Sequence, residues 1–208
     1  VHLFVREQRA AARMAGFVRD APKVPAGSVV FLGSSTFQRF PFEDTYPGRP
    51  WVDRGMGSET AMDLLMRVEK SMPVAQPAGV VILVGANDTR GEGIPVACTL
   101  VLVDAMLRMF AARYPGVPVV FLQVMPVLND SDAVLERLRI LNAGIEKLAL
   151  EHGQSFLRTQ RLPLVDETGH SVPAMYADNH HLNAAGYKVY AKWIADGGGA
   201  ATAPLRDP

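Results

Sequence analysis

The chain has 208 residues, 49% of them hydrophobic, which is enough for one buried core and short for two full domains. Its 21 basic and 21 acidic residues balance, and no Lys/Arg cluster follows one face, which argues against nucleic-acid or anionic-membrane partners. The lone cysteine, Cys98, excludes an internal disulfide, and no run of about 18 apolar residues is present to cross a bilayer.

Apolar positions Val5, Ala12, Ala15 and Val18, set among Arg and Glu, predict an amphipathic helix over residues 4–19, ended by Pro22 and Pro25. Arg6, Glu7, Arg9 and Arg13 interrupt this segment as they would not interrupt a secretory signal. The expectation is a soluble, cytoplasmic protein unless a signal peptide has been removed. Residues 28–33 form a short continuous apolar run, which reads as a strand buried on both faces of a parallel sheet. WVDRG at 51–55 predicts a second strand, 79–85 and 117–125 repeat the buried-strand pattern, and 155–159 predicts a short fifth. Helices are predicted between them over 59–72, 95–114 and 132–152. In the last, Leu135, Leu138, Leu141, Ile145, Leu148 and Ala149 recur at steps of three or four, as one buried face requires. A closing helix starts beyond Asn183, whose side chain suits an N-cap, and the glycine-rich segment 197–208 reads as a flexible tail after a single domain spanning 1–196.

Alternation of strand and helix predicts a three-layer α/β/α sandwich around about five parallel strands. Sites in such sheets lie beyond the carboxyl ends of the strands. Four segments fall there: GSST at 33–36, GMGSET at 55–60, GAND at 85–88, and DNHH at 178–181, just before the last helix. Ser35 offers a nucleophilic hydroxyl, although GSST taken alone reads more readily as a strand-to-helix turn with a serine cap. Asn87 offers an amide N–H to a developing oxyanion, or is part of an Asn-Asp turn. In GMGSET an N–H of Gly57 or Ser58 is a further donor, or the glycines only loosen the loop. Asp178 and His181, three residues apart, allow a carboxylate to orient an imidazole toward a hydroxyl. The alternatives there are helix capping by Asn183 beside surface histidines, or a metal site from Asp178, His180, His181 and His170, which no HExxH-type or Cys-containing spacing supports. The methionines, and the aromatics Phe37, Phe40, Phe42, Tyr46 and Trp51, read as core packing or as substrate walls.

Taken together, GSS after the first strand, GMGSET after the second, GAND after the third and DNHHLNAAGY before the last helix resemble the SGNH family, also called GDSL esterases and lipases. The resemblance covers about residues 29–193 and implies a flavodoxin-like fold and ester hydrolysis through an acyl-enzyme. It implies Ser35 as nucleophile, Asp178 and His181 as the carboxylate and base, and Ser35, Ser58 and Asn87 as oxyanion donors, with Gly57 as the alternative to Ser58. Two departures stand out. Ser34 replaces the family's usual aspartate before the nucleophile, and Ser58 occupies the place of the oxyanion glycine. The expected substrate is a small acyl or acetyl ester, with acetylated carbohydrates among the options, and no metal or organic cofactor is required. The competing expectation is a noncatalytic flavodoxin-like ligand-binding module that kept the loops. Oligomeric state is not legible.

Overall fold

The computed structural model describes residues 2–90, 93–159 and 162–206, with side chains from residue 7 onward. In chain order the elements are α1 (His2–Asp20), β1 (Val29–Gly33), α2 (Ser35–Gln38), α3 (Phe42–Thr45), β2 (Trp51–Gly55), α4 (Ala61–Ser71) and β3 (Gly79–Leu83). There follow α5 (Ala86–Arg90), α6 (Val96–Arg113), β4 (Val119–Leu122), α7 (Asp132–Glu151), β5 (Ser155–Leu157) and α8 (Ala184–Gly197). The five strands form one parallel sheet in the order β2-β1-β3-β4-β5, flanked by helices in the expected three-layer arrangement. That is the flavodoxin-like order, whose direction of growth reverses between β1 and β3 and opens a crevice above their carboxyl ends.

Burial explains why the central strands read as unbroken apolar runs: every residue of β1, β3 and β4 is buried, since helices cover both faces. β5 is an edge strand of three residues, exposed or half-exposed, so its pattern is faint. Phe31 of β1 is fully buried and touches the rings of Phe37, Phe40, Phe42 and Tyr46 at centroid distances of 4.9–6.0 Å. These aromatics are therefore core, and the Tyr46 hydroxyl is satisfied by the Ala191 carbonyl at 2.7 Å. Met72 and Met106 are also core, whereas Met66 is 74% exposed.

Two expectations are corrected. The predicted docking face of the first helix does not dock: Ala12, Ala15 and Val18 point to solvent, and Val5 lies where side chains are not described. The helix is held instead through Phe17, 6% exposed, over which the guanidiniums of Arg13, Arg54 and Arg67 sit at 5.1, 4.9 and 5.6 Å. Small and β-branched residues set the apparent periodicity, while one aromatic ring with three cations over it provides the contact. Second, the segment after 197 is not a loose tail. It forms a 3-10 helix, Gly199–Leu205, that buries Ala201, Thr202 and Leu205. It packs where β3 begins, so closely that a Cβ on Gly79 would stand 2.1 Å from the Ala201 carbonyl oxygen, and only glycine admits that approach. Residues 207 and 208 lie outside the described residues.

Candidate active site

The nucleophile candidate sits on a turn fixed by the core. β1 ends at Gly33, and Ser35 is already the first residue of α2. α2 lies directly on the end of β2: a Cβ on Gly55 would meet the Gln38 nitrogen at 2.4 Å and the Phe37 carbonyl carbon at 2.7 Å. Gly55 thus serves close approach as well as loop freedom. Phe37, fully buried, anchors the same helix with its ring edge-on to Phe31. A four-residue helix has little stability of its own, so this tertiary clamp sets the direction of the Ser35 hydroxyl.

The last loop meets it from the other side. His181 Nδ1 lies 2.8 and 2.9 Å from the two carboxylate oxygens of Asp178, and its Nε2 lies 3.0 Å from Ser35 Oγ. A carboxylate only accepts, so Nδ1 carries the proton, leaving Nε2 to accept from the serine hydroxyl. Asp178 also accepts from the backbone N–H groups of His180 and His181, each at 2.8 Å. Those bonds, that of His180 foremost, hold its carboxyl well below the usual carboxylate range. A depressed pKa gives a contribution to stability that is present above the unfolded value and lost as pH falls through the folded one, so the loop stays charged across the neutral range. Asn183 caps α8 by accepting from the Gly186 N–H at 3.0 Å. The capping reading and the imidazole reading of this segment thus hold together.

The second and third loops are tied to each other. Asn87 Nδ2 donates to the Glu59 carbonyl at 2.7 Å, and the Gly57 N–H donates to Gln38 Oε1 at 2.5 Å. Ser58 has a φ of 64°, the left-handed region in which glycine is at ease, which gives a backbone reason for glycine being usual at its place in the resembling family. Beneath them Asp88, with no solvent exposure, accepts from the Ala61 N–H at 3.0 and 3.2 Å and from Thr99 Oγ1 at 3.2 Å. Burial pushes its carboxyl up, against the pull of those donors. Glu59 and Arg67, 8% and 7% exposed, form a two-nitrogen ion pair, and Arg67 Nη2 also reaches the Arg54 carbonyl at 2.8 Å.

Sequence reasoning brought Ser35, Asn87, Asp178, His181, Gly57 and Ser58 to this edge, and all six are there. It missed Asp88, the Glu59–Arg67 pair, Gln38, and Arg39, whose Nη1 donates to Asp178 at 3.2 Å. The available signal was the Thr60–Asp63 capping box, which marks the start of α4 and hence the end of the second loop. Arg39 and Asp178 are separated by 139 residues, and no local pattern links them.

The loops enclose a cleft of about 730 Å³ between α1, the turn at Ser35, the Asn87 loop and the loop before α8. Met56 and Met125 contribute to its apolar wall, while none of the aromatics after the nucleophile turn does. His170 pairs with Thr168 in a separate loop, and among the described residues no three His, Cys, Asp or Glu side chains converge as metal ligands would. Among the described residues no helix is long and apolar enough to cross a membrane.

A flavodoxin-like parallel sheet with a serine, an imidazole and a carboxylate in hydrogen-bond series above its switch point places the chain in the α/β/α class. The chain belongs to the GDSL-like Lipase/Acylhydrolase family, whose model matches residues 31–189. Among solved structures it is similar to a Streptococcus pneumonia protein provisionally described as a platelet activating factor, with 22% identity, a TM-score of 0.83, and coverage of 91% of this chain and 92% of that one. A GDSL-like lipase from Bacteroides thetaiotaomicron gives 23% identity and a TM-score of 0.73 over 91% and 95% of the two chains. An acetyl xylan esterase, AlAXEase, gives 17% identity and a TM-score of 0.67 over 81% and 98%. At these identities the likeness is one of fold. No curated protein sequence gives a significant match.

Proposed function

We propose that the protein is a serine-dependent ester hydrolase that cleaves small acyl or acetyl esters through an acyl-enzyme. The observation that carries this reading is the continuous series Asp178, His181, Ser35, with its 3.0 Å contact from Nε2 to Oγ. In the proposed sequence Ser35 Oγ bonds to the carbonyl carbon as its proton passes to His181 Nε2. The imidazolium, oriented and stabilised by Asp178, then gives that proton to the departing alkoxide. Water repeats the cycle on the acyl-enzyme, with His181 again as base, and frees the acid and Ser35. The oxyanion is held by the N–H of Ser35, the N–H of Ser58 and the amide of Asn87. Gly57, whose N–H is bonded to Gln38 Oε1, is the alternative to Ser58. Acetylated carbohydrates fit the reading, and an acetyl xylan esterase is among the proteins of similar fold.

A fluorophosphonate probe tests the reading directly. Stoichiometric labelling at Ser35 is expected, because a serine facing a neutral imidazole is activated while a turn serine is not. Absence of labelling on folded protein would favour a noncatalytic ligand-binding module. Asn87→Ala is expected to lower kcat by about a hundredfold, as loss of one side-chain oxyanion donor does elsewhere, with circular dichroism unchanged. Asp178 is held ionised well below the usual carboxylate range, so the charge that orients the imidazole is unchanged across the neutral range.

A further inference from the structure

The described lining of the cleft is uneven in charge. Four arginines, Arg9, Arg13, Arg39 and Arg90, reach its surface, and no aspartate or glutamate is among the described residues lining it, although basic and acidic residues balance at 21 each over the chain. Two of the four are matched from behind. Arg13 donates to Asp53 Oδ2 at 2.5 Å and to the Gly55 carbonyl at 2.5 Å, and Arg90 grips Asp130 with Nε and Nη2. The other two are available to a ligand. Arg39, with its side chain 56% exposed, is shared with Asp178 through one 3.2 Å bond. Arg9 is exposed on α1, and no hydrogen bond or ion pair joins it to another described residue.

We infer that the substrate of this site carries an anionic group, a carboxylate or a phosphate, held between Arg9 and Arg39. This rests on the ester-hydrolase reading for the reacting part of the molecule. Arg39 lies on the His181 side of the cleft through its bond to Asp178, the side on which the departing alcohol must collect its proton. The anion therefore belongs to the alcohol part of the ester. Guanidinium is suited to both anions because its fork of N–H donors matches either oxygen pair. The same field raises the local concentration of an anionic ester and acts through binding more than through turnover.

The test uses three acetates of similar shape, 4-acetoxybenzoate, 4-acetoxyphenyl phosphate and neutral 4-acetoxybenzamide. With the intact chain, kcat/KM for at least one anionic ester relative to the amide is expected to fall about tenfold in Arg9→Glu, mainly through KM. The ratio cancels the intrinsic reactivity of each ester, and whichever anion loses more identifies the carboxylate or the phosphate as the group recognised. In 1 M salt the wild-type preference is expected to shrink, because the screening length drops to about 3 Å. A second arm does not need turnover: calorimetric binding of the three compounds to the Ser35→Ala protein is expected to favour an anion, and Arg9→Glu in that background to remove the advantage. Equal affinity for the amide and both anions, or ratios unmoved by Arg9→Glu, overturns the inference. Turnover without charge preference sinks the anion site alone, whereas anion binding without Ser35-dependent turnover sinks the hydrolase reading alone.

Discussion

Ser35→Ala is expected to reduce hydrolysis of an activated aryl acetate by about four orders of magnitude or more, while leaving the melting temperature within a few degrees of wild type. The size follows from the proposed mechanism: without Oγ no acyl-enzyme would form, and what would remain is water attack assisted by the proposed oxyanion donors, roughly a thousandfold or more above the uncatalysed rate. The small structural effect follows from what holds the turn. α2 is clamped by Phe37 in the aromatic core and by the close fit of Gly55 against Gln38, and the Ser35 side chain takes no part in either contact. Among the described residues its side chain is bonded to His181 alone. His181→Ala should cost nearly as much, and the double variant little more, because residues acting as a unit are not additive. Near-wild-type turnover in Ser35→Ala would end the assignment, whatever the fold.

Arg67→Met is expected to lower unfolding stability by about 3–5 kcal/mol, the usual result of removing one member of a buried ion pair. Glu59 is 8% exposed, and its two carboxylate oxygens rely on Arg67. The loss of the guanidinium also uncovers the Arg54 carbonyl and removes one of the three cations over Phe17. Burial already pushes Glu59 upward, and without Arg67 that shift grows. A raised acid pKa in the folded state means the native protein binds the proton more tightly than the unfolded chain, so the deficit should shrink as pH falls. Denaturant melts at pH 5 and pH 8 check this. A deficit under about 1 kcal/mol, or one independent of pH, would show that the pair is not buried as described. The variant should also turn over more slowly, since the Glu59 carbonyl receives the Asn87 amide and a displaced loop moves that donor.

What the chain discloses before folding depends on whether a property is local. The buried strands were readable because β1, β3 and β4 each carry a continuous apolar run, and α7 because its buried positions recur at helical spacing. Helix ends were readable where a side chain caps its own turn, as Asn183 does. α1 was misread because its docking contact is one aromatic ring under three arginines, two of which arrive from β2 and α4. Residues 199–205 were misread because glycine and alanine carry little periodicity, and their burial is conferred by the start of β3.

The amino-acid order alone determined the alternation of strand and helix, the parallel sheet that follows from it, and the four segments that carry Ser35, Asn87, Asp178 and His181. Each of these is written in neighbours a few residues apart. Only the tertiary structure decided that Ser35 and His181 meet, that Gln38 occupies the Gly57 N–H, that Glu59 is buried with Arg67, and that a neutral chain has an arginine-lined cleft. Those facts are pairings across as many as 146 residues. Long-range pairing depends on packing geometry, which places side chains together irrespective of their separation along the chain.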